Sequence, residues 1–249
     1  MTARADLDRL ARGLDEATRR AVAALDAAIG HLDLSRPEIA RDALLEAFPA
    51  IVSRYGDVAA AAAAEWYEQM RASAVDGPYE AILADGPARE QVDRTVRWAA
   101  GGLWGADPSG VPGLLQEAVA RYVGWQGKST VTTNVAADPA RPRWARVPGR
   151  GGCCAWCAML ASRGFVYESS KTAGEGHPYH AHCSCVPTPL WRGQAARIDG
   201  YHPERLRSVY ARARAAVKAD GGPLDDKTIA AEMRRVDPDS FTDGIHSAE

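Results

Sequence analysis

Residues 176–185 read GHPYHAHCSC, and residues 151–160 read GGCCAWCAML. These two windows hold all five cysteines of the chain and three of its six histidines. A metal site, a catalytic thiol, a disulfide pair and core packing are the chemistries such a cluster allows. The spacing is Cys154-x2-Cys157, then 22 residues, then His180-x2-Cys183-x-Cys185. A Cys-x2-Cys turn aims two sulfurs at one point and is the common first half of a structural zinc site. Four sulfurs, or three sulfurs and an imidazole, close a tetrahedral shell around Zn2+. Cys154, Cys157 and Cys183 are therefore expected ligands, with the fourth contested between Cys185 and His180. Alternate side chains of an extended segment share a face, which favours Cys185 beside Cys183. Cys153 is read as a spare thiol. His177 and His182 are read as surface or supporting groups.

Enzymatic alternatives do not assemble from these residues. A zinc deaminase places His-x-Glu before Pro-Cys-x2-Cys. A metalloprotease helix carries His-Glu-x2-His. Neither pattern occurs. A redox Cys-x2-Cys opens a helix after a strand in a βαβ unit, whereas the chain upstream here reads as helical. Cys154 with His182 could form a nucleophile–base pair, but no third orienting group is evident. A metal-dependent nuclease built on His180 and His182 is the strongest enzymatic rival. The chain is expected not to be an enzyme and to bind no small-molecule substrate.

The elements that position the cluster follow from periodicity and punctuation. Leu7, Leu10, Leu14, Ala17, Ala21 and Leu25 make one apolar stripe of a first helix. Ser35 and Glu38 form a capping-box pattern, with Leu34 and Ile39 as its hydrophobic staple. Ile39, Leu44, Phe48, Ile51, Val52 and Tyr55 are the expected buried face of the second helix. Pro49 should bend it and Gly56 should end it, with Asp57 capping a third, alanine-rich helix. Gly77-Pro78 and Gly86-Pro87 should bracket a short helix, ahead of a longer one ending near Gly101. A loop to Gly113 and a helix from about Leu114 follow. The texture changes near Asp138-Pro139 to a Pro-, Arg- and Gly-rich extended stretch. A helix over CAMLASRG ends at Gly164, with FVYES and CVPTPLW as strand candidates. Two helices, Pro203–Ala219 and Asp226–Val236, precede an expected loose acidic tail.

The predicted fold is mainly α. A helical N-terminal domain (1–137) leads into a small zinc-stabilised α+β module (138–192), and a C-terminal helical extension with an acidic tail (193–249) ends the chain. The module has little apolar content and needs a staple such as a metal.

The chain of 249 residues carries a net charge of −2, distributed unevenly. Residues 1–140 hold 14 basic and 20 acidic side chains, residues 141–218 hold 13 and 4, and residues 219–249 hold 3 and 8. A basic middle between acidic flanks suits a polyanion or an acidic protein surface. It also suits acidic flanks folding back onto the basic part. Arg141, Arg143, Arg146 and Arg150, with Arg207, Arg214 and Lys218 on one face of a later helix, are the candidate contacts. Binding to DNA would be nonspecific and steeply salt-dependent. No apolar run approaches the roughly 18–20 residues that cross a bilayer. The start lacks an apolar core before a cleavage site, so no secretory signal is expected.

The order RVPGRGGCCAWCAMLASRGFVYES followed by YHAHCSCVPTPLW resembles the C-terminal motif of MuF-like minor capsid proteins of tailed phages, closest to the actinobacteriophage head-morphogenesis type. The matching positions are Cys154, Cys157, the Met159-Leu160-Ala161-Ser162-Arg163-Gly164 helix, Tyr167, His180, Cys183 and Cys185. They fall within roughly residues 142–191. The resemblance implies a low-copy structural protein inside the virion head near the portal, made in the host cytoplasm. It would assist head assembly and genome packaging or ejection. Its partners would be the portal protein, the capsid shell and, nonspecifically, genomic DNA.

Overall fold

A computed structural model describes residues 4–168, 180, 181 and 183–245. Four helices build the N-terminal bundle: α1 (Arg4–Gly30), α2 (Pro37–Ala72), α3 (Arg89–Ala100) and α4 (Gly110–Ala137). A 3-10 turn over Gly101–Trp104 follows α3. The predicted stripe of α1 is buried as expected, from Leu7 to Leu25. It packs against α2 and α4.

The long helix α2 overturns three expectations. Arg36 rather than Ser35 stands at its N-cap, because Ser35 bonds back to Asp33 Oδ1 through its N–H (3.0 Å) and hydroxyl (2.6 Å). Ile39 is consequently exposed and staples nothing, while Leu44, Phe48 and Val52 carry the buried face. Pro49 lies inside this helix. Its missing N–H strips the Leu45 carbonyl of its helical donor, and Arg89 Nη2 donates to that carbonyl instead (2.8 Å). Gly56 does not end it either. A Cβ there would lie 2.0 Å from Gln126 Oε1, so the glycine admits a side chain of α4.

Helix α4 starts four residues before Leu114 and absorbs the β-branched run Ser129–Val135. Burial overrides propensity here. Thr130 and Asn134 return hydrogen bonds to carbonyls four residues back, at Gln126 (3.0 Å) and Thr130 (2.8 Å). The same side chains reach out to residues 78–88, which are extended and not the short helix expected. Ile82 N–H donates to Asn134 Oδ1 (2.8 Å), and Asn134 Nδ2 donates to Ile82 O (2.8 Å). Ala84 N–H donates to Thr130 Oγ1 (3.1 Å).

Two glycines of α4 should respond oppositely to alanine. A Cβ at Gly127 would meet Leu14 Cδ2 at 2.3 Å and the Ala59 carbonyl oxygen at 3.1 Å. Gly127→Ala is expected to cost about 1–3 kcal/mol by overpacking. Gly124 has no neighbour within 4 Å of such a Cβ, so Gly124→Ala should stabilise by about 0.5–1 kcal/mol. Urea midpoints of the two variants check both signs.

Beyond α4, β1 (Arg143–Val147) pairs antiparallel with β2 (Val186–Leu190), Arg143 opposite Leu190 and Val147 opposite Val186. Pro189 lies opposite Trp144, whose own N–H and C=O turn the other way to Tyr167 (2.8 and 3.2 Å), so the missing proline donor costs nothing there. Among the described residues of the expected FVYES strand, one bridge forms, at Tyr167. Helices α5 (Ala155–Ala161), α6 (Pro203–Ala219) and α7 (Asp226–Val236) complete the chain, α6 and α7 with the predicted bounds.

The bundle core continues through Trp144, Tyr167, Val186 and Trp191. A second core joins the five cysteines to α5, α6, α7 and Phe241. The expected loose tail is therefore corrected: as far as Ile245 it folds back onto this core. Thr242 N–H donates to Cys153 O (3.1 Å), and Asp243 Oδ1 accepts from Ala155 N–H (2.8 Å) at the start of α5. Arg234 holds Asp243 from the other side at 2.6 Å. An aspartate at a helix start satisfies an orphan donor.

Candidate metal centre

Cys154 is the N-cap of α5, and its sulfur accepts from Cys157 N–H (3.4 Å). One turn of helix thus sets both thiols on the same side. The other half comes from the strand side. Cys183 N–H donates to His180 O (3.1 Å), so both residues come from one turn. His180 Nε2 lies 3.1 Å from Cys154 Sγ, and Cys183 Sγ lies 3.5 Å from Cys157 Sγ.

Two overlapping groups could hold a metal: Cys154, Cys157 and His180, and Cys157, Cys183 and Cys185. Within each group the ligand atoms lie within 4.8 Å of one another. All five residues expected from the spacing are brought together, and Cys157 belongs to both groups. The four cysteines are buried, and His180 is exposed. Every cysteine is a free thiol. His177 and His182 lie outside the described residues.

The thiols are electrostatically unequal. Contact with Cys157 lowers the Cys154 thiol. Cys157 falls to about 5: its contact with Cys154 acts upward, and those with Cys183 and Cys185 outweigh it. Cys185 is raised, first by its contact with Cys153 and then by Cys157 and Cys183. His180 is raised by its interaction with Cys157. The cluster thus favours thiolate at the Cys154–Cys157 knuckle, the form in which sulfur binds metal.

Two basic residues support this centre, and sequence reasoning did not foresee either role. Arg146 points inward from β1, only 3% exposed, with Nη1 3.4 Å from Cys157 Sγ. Its expected contact with DNA phosphates is therefore corrected: the guanidinium faces sulfur. Strand periodicity could have hinted at this, since residues three apart, Arg143 and Arg146, stand on opposite faces of a strand. Lys128, buried on α4, donates to the Cys183 carbonyl. A lysine in the apolar, glycine-flanked stretch of α4 was the available signal. The cap from Asp243 had none, being 88 residues away from Ala155.

Arg146→Met should lower zinc affinity about 10–100-fold, the usual loss when a group supporting a metal ligand is removed. Competition with a chromogenic chelator reads this directly. Unchanged affinity would show that the guanidinium plays no part in the centre.

The remaining basic candidates are surface groups. Arg141 is exposed, with φ 48. Arg143 pairs with Glu168 (3.5 Å), and Arg150 pairs with Asp8 of α1 (2.8 Å). Arg207 Nε donates to Ser162 O (3.3 Å), while Arg214 and Lys218 extend the exposed face of α6. Arg212 pairs with Asp237 (3.2 Å). In part, then, the acidic flanks do fold back onto the basic middle. Among the described residues no helix is long and apolar enough to cross a membrane.

Comparison with known proteins gives a consistent relationship. A family profile described as VG15 protein matches residues 1–213. Gene 15 protein of Mycobacterium phage D29 is 29% identical, across 60% of this chain and 68% of its own length. Gene 15 protein of Mycobacterium phage L5 is 28% identical, across 61% of this chain and 67% of its own length. No solved structure matches the chain.

Proposed function

We propose a structural, non-enzymatic role in the head of a tailed phage for this chain, which belongs to the VG15 protein family. The observation that carries the reading is the convergence of Cys154, Cys157, His180 and Cys183 at the junction of α5 and the strand-side turn. Zn2+ is the fitting ion, since three thiolates and an imidazole are its common structural shell. Such a set leaves no open position for a substrate, in contrast to a catalytic zinc.

His180 is taken as the fourth ligand beside Cys154, Cys157 and Cys183, since its Nε2 lies 3.1 Å from Cys154 Sγ. Cys185 is fully buried, in contact with Cys153 and with its sulfur within 4.8 Å of those of Cys157 and Cys183. Three thiolates around Zn2+ carry one net negative charge, and Arg146 provides the matching buried positive charge.

The placement inside the head, near the portal, is supported by the order of matched positions from Cys154 to Cys185 in the MuF-like motif. It is also supported by mycobacteriophage relatives. The exposed Arg207, Arg214 and Lys218 face of α6, with Arg141 and Arg143, is the surface for genomic DNA or for acidic portal and shell surfaces. Mass spectrometry of purified virions tests the placement. Peptides of this chain should be present in a few copies per portal, and their absence would remove the capsid reading. Retention of duplex DNA by the full chain, falling steeply with salt, is expected if α6 meets DNA. Salt-insensitive behaviour would assign the α6 face to a protein partner.

A further inference from the structure

We propose that copies of this chain associate head to tail, a basic aromatic patch on α3 and the turn after it docking on an acidic apolar segment, residues 78–88, of the next copy. This inference stands apart from the metal centre and the capsid reading.

The first patch is built on α3 and the turn after it. Arg94, Arg97 and Trp98 fall at helical spacing on one exposed face of α3. Trp98 is 68% exposed and Trp104 is 49% exposed. Arg97, Trp104, Arg41, Asp42 and Leu45 line one shallow groove of about 360 Å³. Arg41 stacks over the Trp104 ring at 5.6 Å and also pairs with Asp42, the one acid lining the groove. Two open tryptophans among arginines have the composition of an interface hot spot, not of ordinary surface.

The second patch is the extended segment 78–88. It presents Ile82 (50% exposed) and Leu83 (52% exposed) between Glu80 and Asp85, with Asp76 just before it. Its backbone is fixed by side chains of α2 and α4. Beyond the bonds to Asn134 and Thr130, Ala81 N–H donates to Glu68 Oε1 (2.7 Å), and Ala84 O accepts from Gln126 Nε2 (3.2 Å). A segment already held extended has little conformational freedom to lose on docking.

The patches are complementary in charge, and both offer large apolar groups. They are separate surfaces of one chain. The groove adjoins Arg41, Asp42 and Leu45 at the start of α2, whereas the segment runs along α2, held by Glu68 at Ala81 and by Gln126 at Ala84. Two different complementary patches give a heterologous interface, which propagates as a chain or closes into a ring.

Sedimentation of the full chain over a range of concentrations, at low and high salt, tests this. The wild type should grow beyond a dimer, and less so at high salt. Trp98→Ala and Leu83→Arg each alter one exposed patch and should weaken association by tenfold or more. Circular dichroism checks that both variants keep their helices. Mixing the two should restore a 1:1 dimer and nothing larger, because one intact patch of each kind remains. A wild type that stays monomeric, association indifferent to both variants, or a mixture that stays monomeric would each overturn the proposal.

Discussion

Replacing Cys157 with serine is expected to abolish metal binding and to unfold the second core. Cys157 is the residue shared by both candidate ligand groups, so no rearrangement of the other thiols substitutes for it. Apparent binding free energies of structural zinc are about 10–16 kcal/mol, and in small modules this is folding free energy. The core around the centre is modest: five cysteines, the seven-residue α5, and faces of α6 and α7. Without the ion it must hold a group of buried, partly ionised thiols beside Arg146. Limited proteolysis should then cut within residues 150–245, while α1, α2 and α4 keep most of the helical signal. Cys153→Ser, by contrast, should retain the metal. A Cys157→Ser protein that stays protease-resistant would mean that packing alone holds the module.

Asp138→Asn should be the second most damaging change, with a loss of about 3–5 kcal/mol. Asp138 follows α4 and is fully buried, as is most of its partner Arg71 on α2. Its two oxygens accept from Arg71 Nε (3.1 and 3.2 Å), Tyr67 Oη (3.1 Å), Trp191 Nε1 (3.0 Å) and Ala140 N–H (2.9 Å). One carboxylate thus ties the bundle to the residue after β2. Removing its charge strands a guanidinium in the core, and that accounts for most of the cost. The double change Arg71→Met with Asp138→Asn should recover a large part of the loss in urea melts. Full non-recovery would place the value of the site in the Tyr67 and Trp191 bonds instead.

The same group gives a pH dependence. Burial acts to raise the Asp138 carboxyl, but the bonds from Trp191, Ala140, Arg71 and Tyr67 outweigh it and its pKa is lowered. A depressed carboxyl stabilises the fold above the unfolded value of about 3.9. That contribution is lost as pH falls through the folded value, so acid unfolding should be shallower in Asp138→Asn than in the wild type.

What the sequence revealed and what it concealed divide by range. The α1 stripe, the bounds of α6 and α7, and the α5 helix opening at Cys-x2-Cys all follow from spacings within a turn or two. The continuity of α2 does not. Pro49 is a helix breaker until Arg89 supplies the donor it lacks, and Gly56 is a stop until Gln126 needs its space. Residues 78–88 resemble a bracketed helix, but Asn134 and Thr130 offer them the pairing of a neighbouring strand. The acidic tail reads as solvent-loving, yet Asp243 is at once a helix cap for α5 and an ion-pair partner of Arg234. At the centre, the convergence of the two Cys/His windows was legible from residue spacing. The buried Arg146 was not, because a run of four arginines around prolines and glycines looks like a surface.

The metal content of the purified full chain tests the central claim most directly, measured by elemental analysis alongside a thiol titration of the folded protein. One zinc per chain is predicted, with the thiols of Cys154, Cys157 and Cys183 protected until a strong chelator is added. A folded, metal-free chain whose five thiols all react without chelator would contradict it.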